Sequence, residues 1–137
     1  MLRQDDYLKG QLVYQGWLYG KEYGGHQVSC MIMSCLMNRV KSGWGNILDV
    51  IETMPKYLAD AGDAGRPLEK PQIWEPGFIH LLHDVEAIFD QTMDHAKGAM
   101  YWADLRRVNT PFFLNKILAD KESHPRVCES NSFACFK

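Results

Sequence analysis

No apolar run in this 137-residue chain is long enough to cross a bilayer. The longest, Val28–Met37, is about half of the roughly 20 residues that a helical span requires, so membrane insertion is not expected. No basic stripe is present either. Lys and Arg are scattered, and 15 of them face 17 Asp and Glu for a net charge of −2, which argues against a nucleic-acid groove. There is no Cys-x-x-Cys pair, which excludes a zinc ribbon or a thioredoxin-like redox motif. Residues 1–7 are polar and lack the apolar centre of an export signal, so a target outside the cytoplasm would require delivery by another agent or a leader since removed. Internal repeats, low-complexity tracts and long linkers are also lacking.

What is present is apolar enough to fold. At 46% hydrophobic residues the chain is not a disordered one, and its length suits a single domain over 1–137 with a real core. Of the four cysteines, Cys30 and Cys35 fall on different faces of one apolar helix and read as small buried hydrophobes. Cys128 and Cys135 flank a polar loop and are spaced to bond as a hairpin staple or to remain as thiols.

Helical spacing of Tyr7, Leu8, Leu12, Val13, Trp17 and Leu18 predicts a first helix over 6–22, stopped by Gly24-Gly25. A second helix over 26–41 lacks a polar face and therefore belongs at the centre of the domain; Ser42-Gly43 ends it. A short helix is expected from Gly45 to Glu52, then an irregular stretch over 54–76 punctuated by prolines and glycines. Pro76 opens an amphipathic helix to about Asp94, with Phe78, Leu81, Leu82, Val85, Ile88, Phe89 and Met93 on one stripe. Residues 98–103 read as a strand, Thr110-Pro111 as the start of a short helix to Leu118, and 132–137 as an alternating strand that pairs with 99–103. The fold class is mainly α, or α+β, with a buried central helix and a minor β element.

Glu22 stands at the end of the first helix, beside the mouth of the apolar one. The negative end of the helix dipole and apolar neighbours such as Trp17 and Leu18 both oppose its ionisation. A carboxyl that stays protonated near pH 6–7, above its reference value of about 4.3, is what an acid that breaks a glycosidic bond requires. By spacing alone, Glu22 reads as a surface glutamate at a helix end. His80, His83 and Asp84 share a helix face and would be able to converge on an ion, but that face lies opposite the apolar stripe and reads as solvated. His26 and His124 show no neighbouring ligand pattern, so no metal or cofactor is expected.

The order of these pieces resembles the spore-cortex-lytic and cell-wall hydrolase family, whose fold is lysozyme-like. The resemblance covers about residues 13–137 and rests on Glu22 before a glycine turn, on Asn38-Arg39-Val40 ending the apolar helix, on Asp49-Val50-Ile51, on Met54-Pro55-Lys56-Tyr57, on Gly98-Ala99-Met100-Tyr101-Trp102, and on the aromatic strand Phe133–Phe136. The turn after Glu22 is shorter than the family's usual form, and the acidic, arginine-rich segment around the catalytic Glu is reduced to Gly20-Lys21-Glu22-Tyr23. Aligned with a gap in that turn, Glu22 takes the catalytic position.

The resemblance implies cleavage of the β-1,4 bond between N-acetylmuramic acid and N-acetylglucosamine in peptidoglycan, as a lytic transglycosylase. There one Glu protonates the leaving oxygen and then accepts the proton of the muramic 6-hydroxyl. Tyr57, Tyr101 and Trp102 are candidates to line the glycan groove, with ordinary core packing as the alternative for each. Asn38 is a candidate substrate contact, against a structural hydrogen bond at the helix end. Such a protein would reach the bacterial cell wall as a phage lysin released through a holin or as a virion-carried domain. The competing reading is a non-catalytic glycan-binding or virion structural protein that retains the fold.

Overall fold

The helix without a polar face lies at the centre. A computed structural model of the chain describes residues 4–23, 25–57, 84–106 and 113–137, with backbone alone for 4–7, 19–23, 53–57 and 113. Helix α2, His26–Lys41, buries every residue from Val28 to Met37, and Arg39 as well. Its start follows Gly25, whose φ of 89° is open to glycine and strained for other residues. Helix α1, Gln4–Tyr23, lies against it. The two backbones approach closely at Gly16, where a Cβ would stand 2.8 Å from Met33 Cγ and 3.1 Å from the Ser29 carbonyl oxygen. The buried surface of α1 includes Leu12 and Val13 as expected, but also Gln11 and Gln15, which have no exposed surface.

Helix α3, Ile47–Tyr57, runs further than the expected Gly45–Glu52. Asn46 and Asp49 cap its start reciprocally: Asn46 Oδ1 accepts from the Asp49 N–H at 3.0 Å, and Asp49 Oδ2 accepts from the Asn46 N–H at 3.0 Å. Pro55, read as part of the irregular stretch, instead lies within the last turn of α3, where it forgoes the i→i−4 bond to the Ile51 carbonyl. Residues 58–83, including most of the proline-rich stretch and the first half of the following helix, lie outside the described residues.

That following helix is described over 84–89 and stops there rather than at Asp94. Gln91, at φ 62°, reverses the chain: its N–H bonds the Ile88 carbonyl at 3.1 Å, and the Thr92 N–H bonds the Ala87 carbonyl at 2.9 Å. Val85 and Ile88 are buried as the stripe predicts, but Met93 lies beyond the stop and is 52% exposed. Asp94 holds the next turn through the N–H groups of Ala96 and Gly98.

Three antiparallel strands, β1 (Tyr101–Asp104), β2 (Arg126–Ser130) and β3 (Phe133–Phe136), form a sheet in the order β1-β3-β2. The expected pairing is present, with Tyr101 opposite Phe136 and Asp104 opposite Phe133. Strand β2 was not foreseen; it joins β3 through a tight turn at Asn131 and carries a register break between Arg126 and Cys128. The alternation in β3 has two apolar destinations. Phe133 and Cys135 enter the main core with Trp102, while Ala134 and Phe136 join Ala103 and Ile117 in a second cluster. Ile117 comes from the helical segment Phe113–Leu118, which is of π type and ends at the expected Leu118; Thr110 and Pro111 lie outside the described residues. Cys128 and Cys135 face each other across the sheet as free thiols. The architecture is α+β, helices around α2 with a small sheet.

The C-terminal end of α2 fastens helix to sheet. Asn38 Nδ2 donates to the Ala99 carbonyl at 2.9 Å, and Arg39 Nε donates to the Met100 carbonyl at 2.8 Å. The guanidinium of Arg39, 1% exposed, lies over the rings of Trp102 at 4.6 Å, Trp44 at 4.8 Å and Tyr101 at 5.6 Å. Arg39→Ala should cost about 3 kcal/mol or more in urea unfolding, since it removes a charge-assisted bond and three cation–π contacts. Arg39→Lys should recover only part of this, because an ammonium lacks the planar guanidinium face. Gly16→Val should cost about 1–3 kcal/mol in the same measurement by forcing α1 off α2.

Candidate functional site

Glu22 is the penultimate residue of α1, so its backbone sits at the negative end of that helix, as expected. Its side chain lies outside the described residues, as does that of Tyr57, the last residue of α3. Trp17 and Leu18, the apolar neighbours named for Glu22, are half-buried on α1 against the core. Four residues beyond Glu22, α2 begins at His26. At this end of α2, Ser130 Oγ meets Gln27 Oε1 at 3.4 Å, which brings the tip of the β2–β3 hairpin to the α1–α2 junction.

The other candidates stand elsewhere. Arg39 lies 13 residues along α2 from His26, which is about 20 Å of helix. Tyr101 packs at that far end, edge-on to Trp44 at 6.1 Å and to His124 at 5.4 Å. Trp102 is 2% exposed and belongs to the core, so core packing rather than groove lining describes it. Asn38 performs the structural task considered for it, bonding Ala99 and, at 3.4 Å, Asp94 Oδ1. The structure therefore does not bring Tyr101, Trp102 or Asn38 to the end of α2 where Glu22 stands.

A cluster that the sequence reading missed does stand there. His26 Nε2 lies 2.7 Å from Asp84 Oδ2, and Cys30 Sγ lies 3.6 Å from both of those atoms. The readable signal was the four-residue spacing of His26 and Cys30, which puts both on one face of α2. Asp84, first grouped with His80 and His83, turns to these residues instead; His80 and His83 lie outside the described residues. Burial, then the charge of Asp84 and its hydrogen bond, push the Cys30 thiol up to about 12. The thiol is thus protonated at neutral pH and is not an activated nucleophile. A cysteine–histidine–aspartate relay would also use both ring nitrogens, whereas here the thiol and the carboxylate meet the same one.

Asp104 lies at the same end of the sheet, opposite Phe133. Its burial would raise its pKa, but bonds from the Arg106 side chain and N–H, a bond with Ser132 and the Arg106 charge together hold the carboxyl below the usual range. Among the described residues, no helix is long and apolar enough to cross a membrane. Comparisons with family models, curated proteins and solved structures found no match to this chain.

Because the folded pKa of Asp104 is depressed, its contribution to stability is complete above the unfolded value of about 3.9 and is lost as pH falls toward the folded one. Acid titration of the wild type and Asp104→Asn should show this: the variant is less stable at pH 7, and the gap narrows below pH of about 4.

Proposed function

We propose that the chain cleaves peptidoglycan glycan strands at the N-acetylmuramic acid–N-acetylglucosamine β-1,4 bond, with a lysozyme-like fold and Glu22 as general acid and base. The observation that carries this reading is the pair of bonds from Asn38 and Arg39 to the carbonyls of Ala99 and Met100. They join two of the segments on which the family resemblance rests, which lie far apart in sequence. The aromatic strand Phe133–Phe136, a third segment, pairs with the second of them. The position of Glu22 also supports the reading, since the end of a helix disfavours its charged form and the hairpin tip stands at the same end of α2.

As a lytic transglycosylase, Glu22 gives its proton to the bridging oxygen as the C1–O bond breaks. The resulting carboxylate then takes the proton of the muramic 6-hydroxyl, whose oxygen closes onto C1 to give a 1,6-anhydro end. One carboxyl suffices because the substrate supplies the nucleophile. A phage lysin or virion-carried domain would use this chemistry at the bacterial wall.

One observation favours the second reading, a glycan-binding or virion structural protein without catalysis. Tyr101 and Trp102 are engaged with Arg39 toward the C-terminal end of α2, and Trp102 is buried in the core, so neither offers a sugar platform at the α1–α2 junction.

Purified sacculi distinguish the two. The wild type should clear the suspension, and Glu22→Gln should slow clearing by about 100-fold or more, as expected for loss of a general acid. Mass spectrometry of the released fragments should show anhydro ends; reducing ends would make the enzyme a hydrolase. Sedimentation with sacculi without clearing by the wild type would establish the second reading in place of the first.

A further inference from the structure

His26, Cys30 and Asp84 present one nitrogen, one sulfur and one oxygen to a common point from two separate helical stretches. All three atoms lie within 4.8 Å of one another. At a tetrahedral zinc, with bonds of about 2.0–2.3 Å, neighbouring donor atoms stand roughly 3.3–3.7 Å apart. The two edges that end on Cys30 Sγ, both 3.6 Å, already have that length. The third, His26 Nε2 to Asp84 Oδ2 at 2.7 Å, has hydrogen-bond length and needs to open by about 0.6 Å to admit an ion.

Hydrogen bonding alone serves this triangle poorly. Nε2 has either one proton or one lone pair, and the thiol has one proton, so at most two protons are available for three edges. A cation at the centre satisfies all three atoms together. The charge also balances: a thiolate, a carboxylate and a neutral imidazole carry two negative charges, which a divalent ion cancels, while the thiol proton leaves to solvent.

We infer that His26, Cys30 and Asp84 form a binding site for a borderline-soft divalent cation of the zinc class. Sulfur and imidazole select against calcium and magnesium, which take oxygen donors. Cys30 is buried and anchors the inner side, while the side chains of His26 and Asp84 are 51% and 31% exposed. The outer side is therefore open to a water as fourth ligand. His26 Nε2 is the ligand atom, which leaves Nδ1 directed away from the ion. The site tethers the start of α2 to the 84–89 helix across 54 residues between Cys30 and Asp84.

The site does not depend on the glycan-cleaving proposal, and its test does not use activity. Full-length protein is stripped with chelator and titrated with cobalt(II), a spectroscopic substitute for zinc. One equivalent should produce an intense thiolate-to-cobalt charge-transfer band in the near ultraviolet, and zinc should displace it. Cys30→Ala should abolish the band, with circular dichroism verifying the fold. His26→Asn, at a half-exposed position, should retain the band and weaken cobalt affinity by about tenfold or more. Absence of the band in the wild type would overturn the proposal. So would its persistence in Cys30→Ala, which would assign the metal to other thiols, or unchanged affinity in His26→Asn.

Discussion

A buried guanidinium orders this protein. Removing Arg39 from water is costly, and the cost is offset only where its N–H groups and flat faces find partners together. Here they find the Met100 carbonyl and three aromatic rings. Those partners come from the turn after α2 and from β1, so one side chain fixes the end of the central helix, the turn that follows it and the first strand. Strand β1 pairs with β3, and β3 with β2, so the whole sheet is aligned along α2 from this point. The hairpin tip then reaches Gln27 at the opposite end. The geometry of the candidate site is thus set from a helix length away.

The two ends of α2 consequently differ in kind. At the C-terminal end, polar groups are consumed by packing, and Asn38, Arg39 and Tyr101 hold structure together. At the N-terminal end, His26, Gln27 and Asp84 remain accessible beside the end of α1. Segments that the sequence offered as motifs are, in part, structural rivets. Asp49, within the Asp-Val-Ile segment, is a helix cap, and Asn38-Arg39 is a helix-to-strand clamp. Motifs of this sort report an architecture more directly than a reaction.

Apolar periodicity made α1, α2 and the β1–β3 pairing legible, because burial of an apolar stripe or strand decides their position. Periodicity fails where burial is polar. Gln11 and Gln15 lie in the interior of α1, and Arg39 in that of α2, yet each would be assigned to a surface by its chemistry alone. It also overextends: the stripe reached Met93 on spacing, but backbone reversal at Gln91 ended the helix first. Pro55 misled in the opposite sense, since α3 continues through it despite the hydrogen bond that proline forgoes. At the site, the position of Glu22 followed from the helix end, whereas the junction of Asp84 with His26 and Cys30 depends on tertiary packing. Only the His26–Cys30 half of it has a local signature.

Strand β2 has a consequence beyond the fold of one chain. It occupies an outer position in the sheet, where unpaired backbone groups would template the addition of a further strand. Arg126 and Glu129, joined at 3.0 Å, place charge along that border, and the break between Arg126 and Cys128 disrupts its regular hydrogen-bonding edge. A second molecule docking there would have to desolvate the ion pair and match an irregular ladder. The border therefore resists self-association through edge-to-edge strand pairing.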